Sequence, residues 1–116
     1  MVGIDIVDIA RIGRALERHG ERFLEKVLAP SEIARARAIR RPQEYLAGRF
    51  AAKEAFMKAS GRRLTWTEIE VLSEEGRPYI VYRGKRYDDV SISHERSYAV
   101  SVVIREDIKG KEGVAL

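Results

Sequence analysis

The 116 residues, 45% hydrophobic and 34% charged, are enough for one domain with a real core and too few for a second. With no cysteine, a disulfide framework and any thiolate metal site are excluded, which fits a reducing compartment. The formal charge of +4 points to an anionic partner, with nucleic acid, a phosphate-rich small molecule and an acidic protein all open.

Val2 to Val7 alternates around Asp5 and is mostly β-branched, so it predicts a strand. Asp8 then precedes Ile9, Ile12, Ala15 and Leu16 at helical spacing, which makes Asp8 an N-cap candidate, with Gly20 ending or interrupting the helix. Ser31 is the expected cap of a helix from Glu32 to Arg40. Pro42 suits the first turn of a long helix, Gln43 to Ala59, and Gly61 is placed to stop it. Short β-rich runs follow: Thr67 to Leu72, Pro78 to Tyr82, Val90 to His94 and Tyr98 to Ile104. Glu75-Gly76-Arg77-Pro78 and Arg83-Gly84 supply turns between them. The expectation is one α+β domain over 1–116, helices packed on a mostly antiparallel sheet, with a loose tail from Arg105 to Leu116. No apolar run approaches the roughly 20 residues of a membrane span. The start, Met1-Val2-Gly3-Ile4-Asp5, lacks the basic and long apolar stretches of a secretory signal. A soluble cytoplasmic protein is expected.

The long helix carries the most informative run, Gly48-Arg49-Phe50-Ala51-Ala52-Lys53-Glu54-Ala55. At about 100° per residue, Ala47, Gly48, Ala51, Ala52, Ala55 and Ala59 form one small-residue arc, and Tyr45, Leu46, Phe50, Phe56 and Met57 fill much of the remainder. A helix apolar nearly all round belongs in an interior, where a carboxylate such as Glu54 is costly without compensation. Glu54 and Lys58 are also spaced for an ordinary surface ion pair, and that reading stays open. Asp5 is a second acid in an apolar run, either an edge residue facing water or a ligand of a hard cation. Magnesium takes oxygen ligands and commonly only one or two carboxylates plus substrate phosphates, so Asp5 and Glu54 would suffice. Arg11, Arg14, Arg18 and Arg22 form one stripe if their helix continues past Gly20. Arg35, Arg37, Arg40 and Arg41 add a second basic cluster. Such runs are solvated faces, or docking surfaces for an acidic helix or a phosphate backbone. His94 closes a strand; Ser93 beside it makes no triad, because no third orienting group is evident. Asp88-Asp89 reads as turn chemistry.

Taken together, Gly3-Ile4-Asp5-Ile6 with Arg11-Ile12, the Gly48–Ala55 run with Lys58, and Val90-Ser91-Ile92-Ser93-His94 with Tyr98-Ala99-Val100 resemble the short-chain bacterial 4′-phosphopantetheinyl transferases, the holo-acyl-carrier-protein synthase family. The resemblance covers nearly everything up to Ile104. It implies a homotrimer of α+β subunits with coenzyme A bound between neighbours, and magnesium held by Asp5 and Glu54. It places Arg49, Lys53, Lys58 and His94 in the coenzyme A region, with Glu54 and Lys58 catalytic. It assigns Arg11, Arg14 and Arg18 to docking of an acidic apo carrier protein. The implied reaction moves phosphopantetheine from coenzyme A to a carrier serine, in support of fatty acid biosynthesis. Glu54, or a water that it orients, would take the serine proton, and Lys58 would stabilise the leaving phosphate. One departure stands out: Ala59-Ser60-Gly61-Arg62-Arg63-Leu64 is shorter and more basic than the family's glycine-rich loop, so that loop's coenzyme contacts do not carry over, with Arg62 and Arg63 the candidates to substitute as phosphate ligands. Two rival classes remain: a basic α+β module that binds nucleic acid without catalysis, which leaves Asp5 and Glu54 unexplained, and an inactive relative that only binds carrier protein.

Overall fold

In the computed structural model, residues 1–106 are described; residues 107–116, and with them most of the expected loose tail, lie outside that range. The chain begins with strand β1 (Val2–Asp8), continues through helices α1 (Ile9–His19), α2 (Glu21–Val27), α3 (Pro30–Ala38) and α4 (Pro42–Ser60), and ends in strands β2 (Ile69–Glu74), β3 (Arg77–Tyr82), β4 (Lys85–Tyr87), β5 (Val90–His94) and β6 (Tyr98–Ile104). A 3-10 turn, Trp66–Glu68, precedes β2.

The expected helix signals operate at four of the boundaries. Asp8 Oδ1 accepts the Ala10 amide at 3.0 Å, so Asp8 caps α1. Pro42 occupies the first turn of α4, and Gly61, at φ 76°, ends it with its amide on Met57 and Lys58 carbonyls. Gly20, at φ 55° and ψ −130°, breaks the first helix outright. Arg22 therefore lies on α2, and the arginine stripe of α1 stops at Arg18. The Ser31 expectation is corrected: α3 starts at Pro30, one residue before it. The capping there is done by Glu32, whose Oε1 accepts the Ala29 amide at 2.8 Å, while Ser31 donates to Glu70.

The strands divide into two antiparallel sheets of three, not one: β1-β6-β5 and β2-β3-β4. Two-residue turns explain the second. Glu75 (φ 52°) with Gly76 (φ 80°), and Arg83 (φ 50°) with Gly84 (φ 80°), have positive φ at both central positions, the hairpin geometry that matches strand twist. They fold β2, β3 and the unanticipated β4 into a local meander. In the first sheet β1 pairs with the distant β6, Asp5 opposite Ser101 and Gly3 opposite Val103, and β6 pairs with β5, Ser101 opposite Ile92.

Helix α4 covers the inner face of this sheet. The arc of Ala47, Ala51, Ala55 and Ala59 is fully buried, and Gly3 shows why small residues are needed there. A Cβ on Gly3 would lie 1.8 Å from the Ala55 carbonyl oxygen, so β1 and α4 meet backbone to backbone. Alternation along β1 then puts Gly3, Asp5 and Val7 toward α4 and Val2, Ile4 and Ile6 outward. The first half of α4 joins α1–α3 in one apolar cluster around Leu24, Leu28 and Leu46. Its second half joins the meander in another around Phe56, Ile69 and Ile80.

Arg105, assigned to the loose tail, is held firmly. Its backbone pairs with Met1 in both directions, at 2.8 and 2.9 Å. Its buried guanidinium lies 4.6 Å from the ring centres of both Phe56 and Tyr87, with hydrogen bonds to Ser60 and to the Tyr87 hydroxyl.

Candidate active site

Asp5 from β1 and Glu54 from α4 line one cleft of about 280 Å3, with Ile6, Val7, Arg11, Ile12, Ala15, Phe23 and Phe50. The close β1–α4 contact at Gly3 brings the two acids to one place although they lie 49 positions apart in sequence. Both side chains are mostly covered, 16% exposed for Asp5 and 20% for Glu54. Each acid holds one cation. Lys58 Nζ lies 3.1 Å from Asp5 Oδ1 and donates also to the Ile4 carbonyl at 3.0 Å. Arg63 Nη1 donates to Glu54 Oε1 at 2.9 Å. The ion pairing thus crosses from helix to strand and from helix to loop, in place of the Glu54–Lys58 pair that spacing alone allows.

Lys53, expected in the coenzyme region, occupies an interior, structural position in this chain. It is fully buried, and its ammonium donates to the Val27 carbonyl at 2.7 Å, Glu32 Oε1 at 2.6 Å and the Trp66 carbonyl at 3.1 Å. Three acceptors match the three N–H donors of an ammonium. Burial pushes its pKa below the ordinary 10.5, and Glu32 opposes that shift. Glu32, itself 1% exposed, also accepts the Val71 amide at 2.6 Å. One ion pair therefore ties α2, α3, α4 and β2 together, and no side of Lys53 is left for a ligand.

Arg49 lies about 140° around α4 from Glu54 at 100° per residue. It faces β2, with its guanidinium 4.2 Å over Tyr45 and 3.5 Å from Ser73 Oγ, in a hollow shared with Ser31 and Arg35. Its Nε is buried without a partner among the described residues. His94 is exposed at the end of β5 and is not among the residues of the acid cleft. The chain therefore brings Asp5, Glu54, Lys58 and Arg11 together, and leaves Arg49 and His94 elsewhere. Arg11, Arg14 and Arg18 are exposed on α1 and line one broad hollow with Ala15, Glu17 and His19. The walls supplied by Phe23 and Phe50, the Glu32 partner of Lys53 and the Arg63 partner of Glu54 were not anticipated. Only Phe50, four residues before Glu54 on one helix, carried a signal in its spacing.

The fold and this acid pair define a class that comparison with known proteins names. The model of the 4′-phosphopantetheinyl transferase superfamily matches residues 1–103, and the chain belongs to that family. It is 44% identical over 119 residues to the holo-acyl-carrier-protein synthase of Chloroherpeton thalassium, covering 93% of this chain and 98% of the relative. The Helicobacter pylori holo-acyl-carrier-protein synthase in complex with coenzyme A superposes with a TM-score of 0.79 at 33% identity, covering 90% of this chain and 98% of that one. The Bacillus anthracis synthase, in complex with coenzyme A (3′,5′-ADP), gives 0.76 at 34% identity, over 88% and 91%.

Proposed function

We propose that this chain transfers the 4′-phosphopantetheine group of coenzyme A to a serine of an apo acyl carrier protein, releasing adenosine 3′,5′-bisphosphate, in the cytoplasm and in support of fatty acid synthesis. The observation that carries this reading is the meeting of Asp5 and Glu54 in one cleft bordered by Arg11, in a chain of this superfamily.

The cleft fits magnesium. Its donors are carboxylate oxygens, and each now satisfies a cation that a metal can replace. Magnesium takes one or two protein carboxylates and completes its shell with water and substrate phosphate. Asp5 and Glu54 would hold it. When bound, magnesium supplies Lewis-acid charge to the diphosphate oxygens.

The chain's own residues do the rest. The serine oxygen attacks the phosphorus bearing pantetheine, and the bond to the adenosine-side phosphate breaks. Glu54, or a water that it orients, accepts the serine proton. Lys58, fixed by the Ile4 carbonyl beside Asp5, sets an ammonium where charge grows on the leaving phosphate. Phe23 and Phe50 wall the cleft and limit water. The exposed Arg11, Arg14 and Arg18 give α1 a cationic face that steers an acidic partner.

The trimeric part of this reading is supported by the outward face of the β1-β6-β5 sheet. Val2, Ile4 and Ile6 are 58–64% exposed, and Tyr98 and Ile104 join them from β6. An apolar face of this kind marks an interface. With a trimer built there, Arg49 and His94 serve the coenzyme bound at a neighbouring subunit. Replacing Ile4 by Glu is expected to turn a species three times 13.2 kDa into monomers in sedimentation velocity, with coenzyme binding lost alongside. A wild-type protein that sediments as a monomer at assay concentration sinks the trimer reading. For the activity itself, intact mass spectrometry of an apo carrier protein incubated with this chain, coenzyme A and magnesium should show one added phosphopantetheine. Folded protein that modifies none of several carrier proteins overturns the assignment.

A further inference from the structure

The two cations paired with the cleft acids are tethered very differently. Lys58 is bound twice, to the Ile4 carbonyl and to Asp5. Arg63 reaches Glu54 from the short loop after α4, two residues past the turn at Gly61. Its side chain is 69% exposed, and among the described residues it otherwise lies loosely over Trp66, 5.8 Å from the ring centre. Exposed pairs of this kind are weak and readily exchanged.

We propose that Arg63 is an exchangeable counter-ion: it neutralises Glu54 while the cleft lacks a divalent cation, and moves onto the coenzyme's diphosphate when a divalent cation takes the carboxylate. The inference rests on the magnesium–diphosphate reading of the cleft. Charge balance supports it. The two acid–cation pairs sum to neutrality; a divalent ion adds two positive charges, and the two negative charges of a coenzyme diphosphate restore that balance with both paired cations still in place, while Arg11 lends the cleft one further positive charge. A guanidinium and a metal on the same carboxylate repel each other. The released fork of N–H donors matches phosphate oxygens, and a guanidinium stays charged at any working pH.

Opposite effects on two ligands follow, which a purely structural arginine does not produce. Manganese binding to the full chain without coenzyme is measured by electron paramagnetic resonance, and coenzyme A binding at saturating magnesium by calorimetry. Arg63→Ala is expected to tighten manganese binding by about two- to fivefold, the strength of an exposed ion pair. The same variant is expected to weaken coenzyme A binding by about tenfold, the loss of one charged hydrogen bond. Arg63→Lys should fall between wild type and Arg63→Ala for both ligands. An Arg63→Ala protein unchanged for both, or weakened for both, overturns the proposal. Glu54→Gln is the control. If it weakens manganese binding while Arg63→Ala is silent, only the role of Arg63 fails; if it leaves manganese binding intact, the metal reading fails and this inference with it.

Discussion

Replacing Lys53 by Met is expected to destabilise the protein by about 3–5 kcal/mol, because it leaves the Glu32 carboxylate buried without its counter-charge. The pair is enclosed, 0% and 1% exposed, so water cannot take the lysine's place. Glu32 holds two backbone amides, Ala29 and Val71, in addition to the ammonium. Adding Glu32→Gln to Lys53→Met removes the orphaned charge while keeping a carbonyl acceptor for an amide, and should restore part of the loss. Urea denaturation of both variants measures this, with the midpoint falling in the single variant and partly recovering in the double. A Lys53→Met protein that unfolds at the wild-type midpoint, with only its coenzyme affinity reduced, would return Lys53 to the binding site.

Glu54→Gln, and separately Asp5→Asn, should each lower phosphopantetheine transfer by at least about 100-fold, the scale on which loss of one preorganised charge-stabilising group acts. Neither change alters side-chain size. Both acids keep 16–20% exposure, so the thermal midpoint should move little. The assay is intact mass of the carrier protein over a magnesium series. If both variants retain wild-type rates at limiting magnesium, Asp5 and Glu54 are not the metal ligands. The neighbouring Lys53 and Glu54 thus predict different failures, one of stability and one of chemistry.

Those two residues also mark where sequence reasoning ran out. Helical period places Lys53 and Glu54 about 100° apart on α4 and states that both sit on a mostly apolar helix. It does not state which faces the interior. Glu32, on α3, decides that by meeting Lys53, and Arg63 and Lys58 then cover the cleft acids. The same limit applies to Arg49, which shares a sequence motif with Glu54, and to His94 from a third motif; both lie apart from the cleft within the chain.

Local chemistry was legible wherever it acts over a few residues. The spans of β5 and β6, the Asp8 cap, the Pro42 start and the Gly61 stop of α4 all follow from side-chain propensity and backbone geometry. The small-residue arc also announced that another backbone would come close to α4. Only the tertiary structure decided that this backbone is β1 at Gly3, that β1 pairs with β6, and that Asp5 consequently shares a cleft with Glu54. The physical reason is that periodicity along a chain determines which residues share a face. What that face meets depends on contacts between segments far apart in sequence, and pattern within one segment carries no record of its partner.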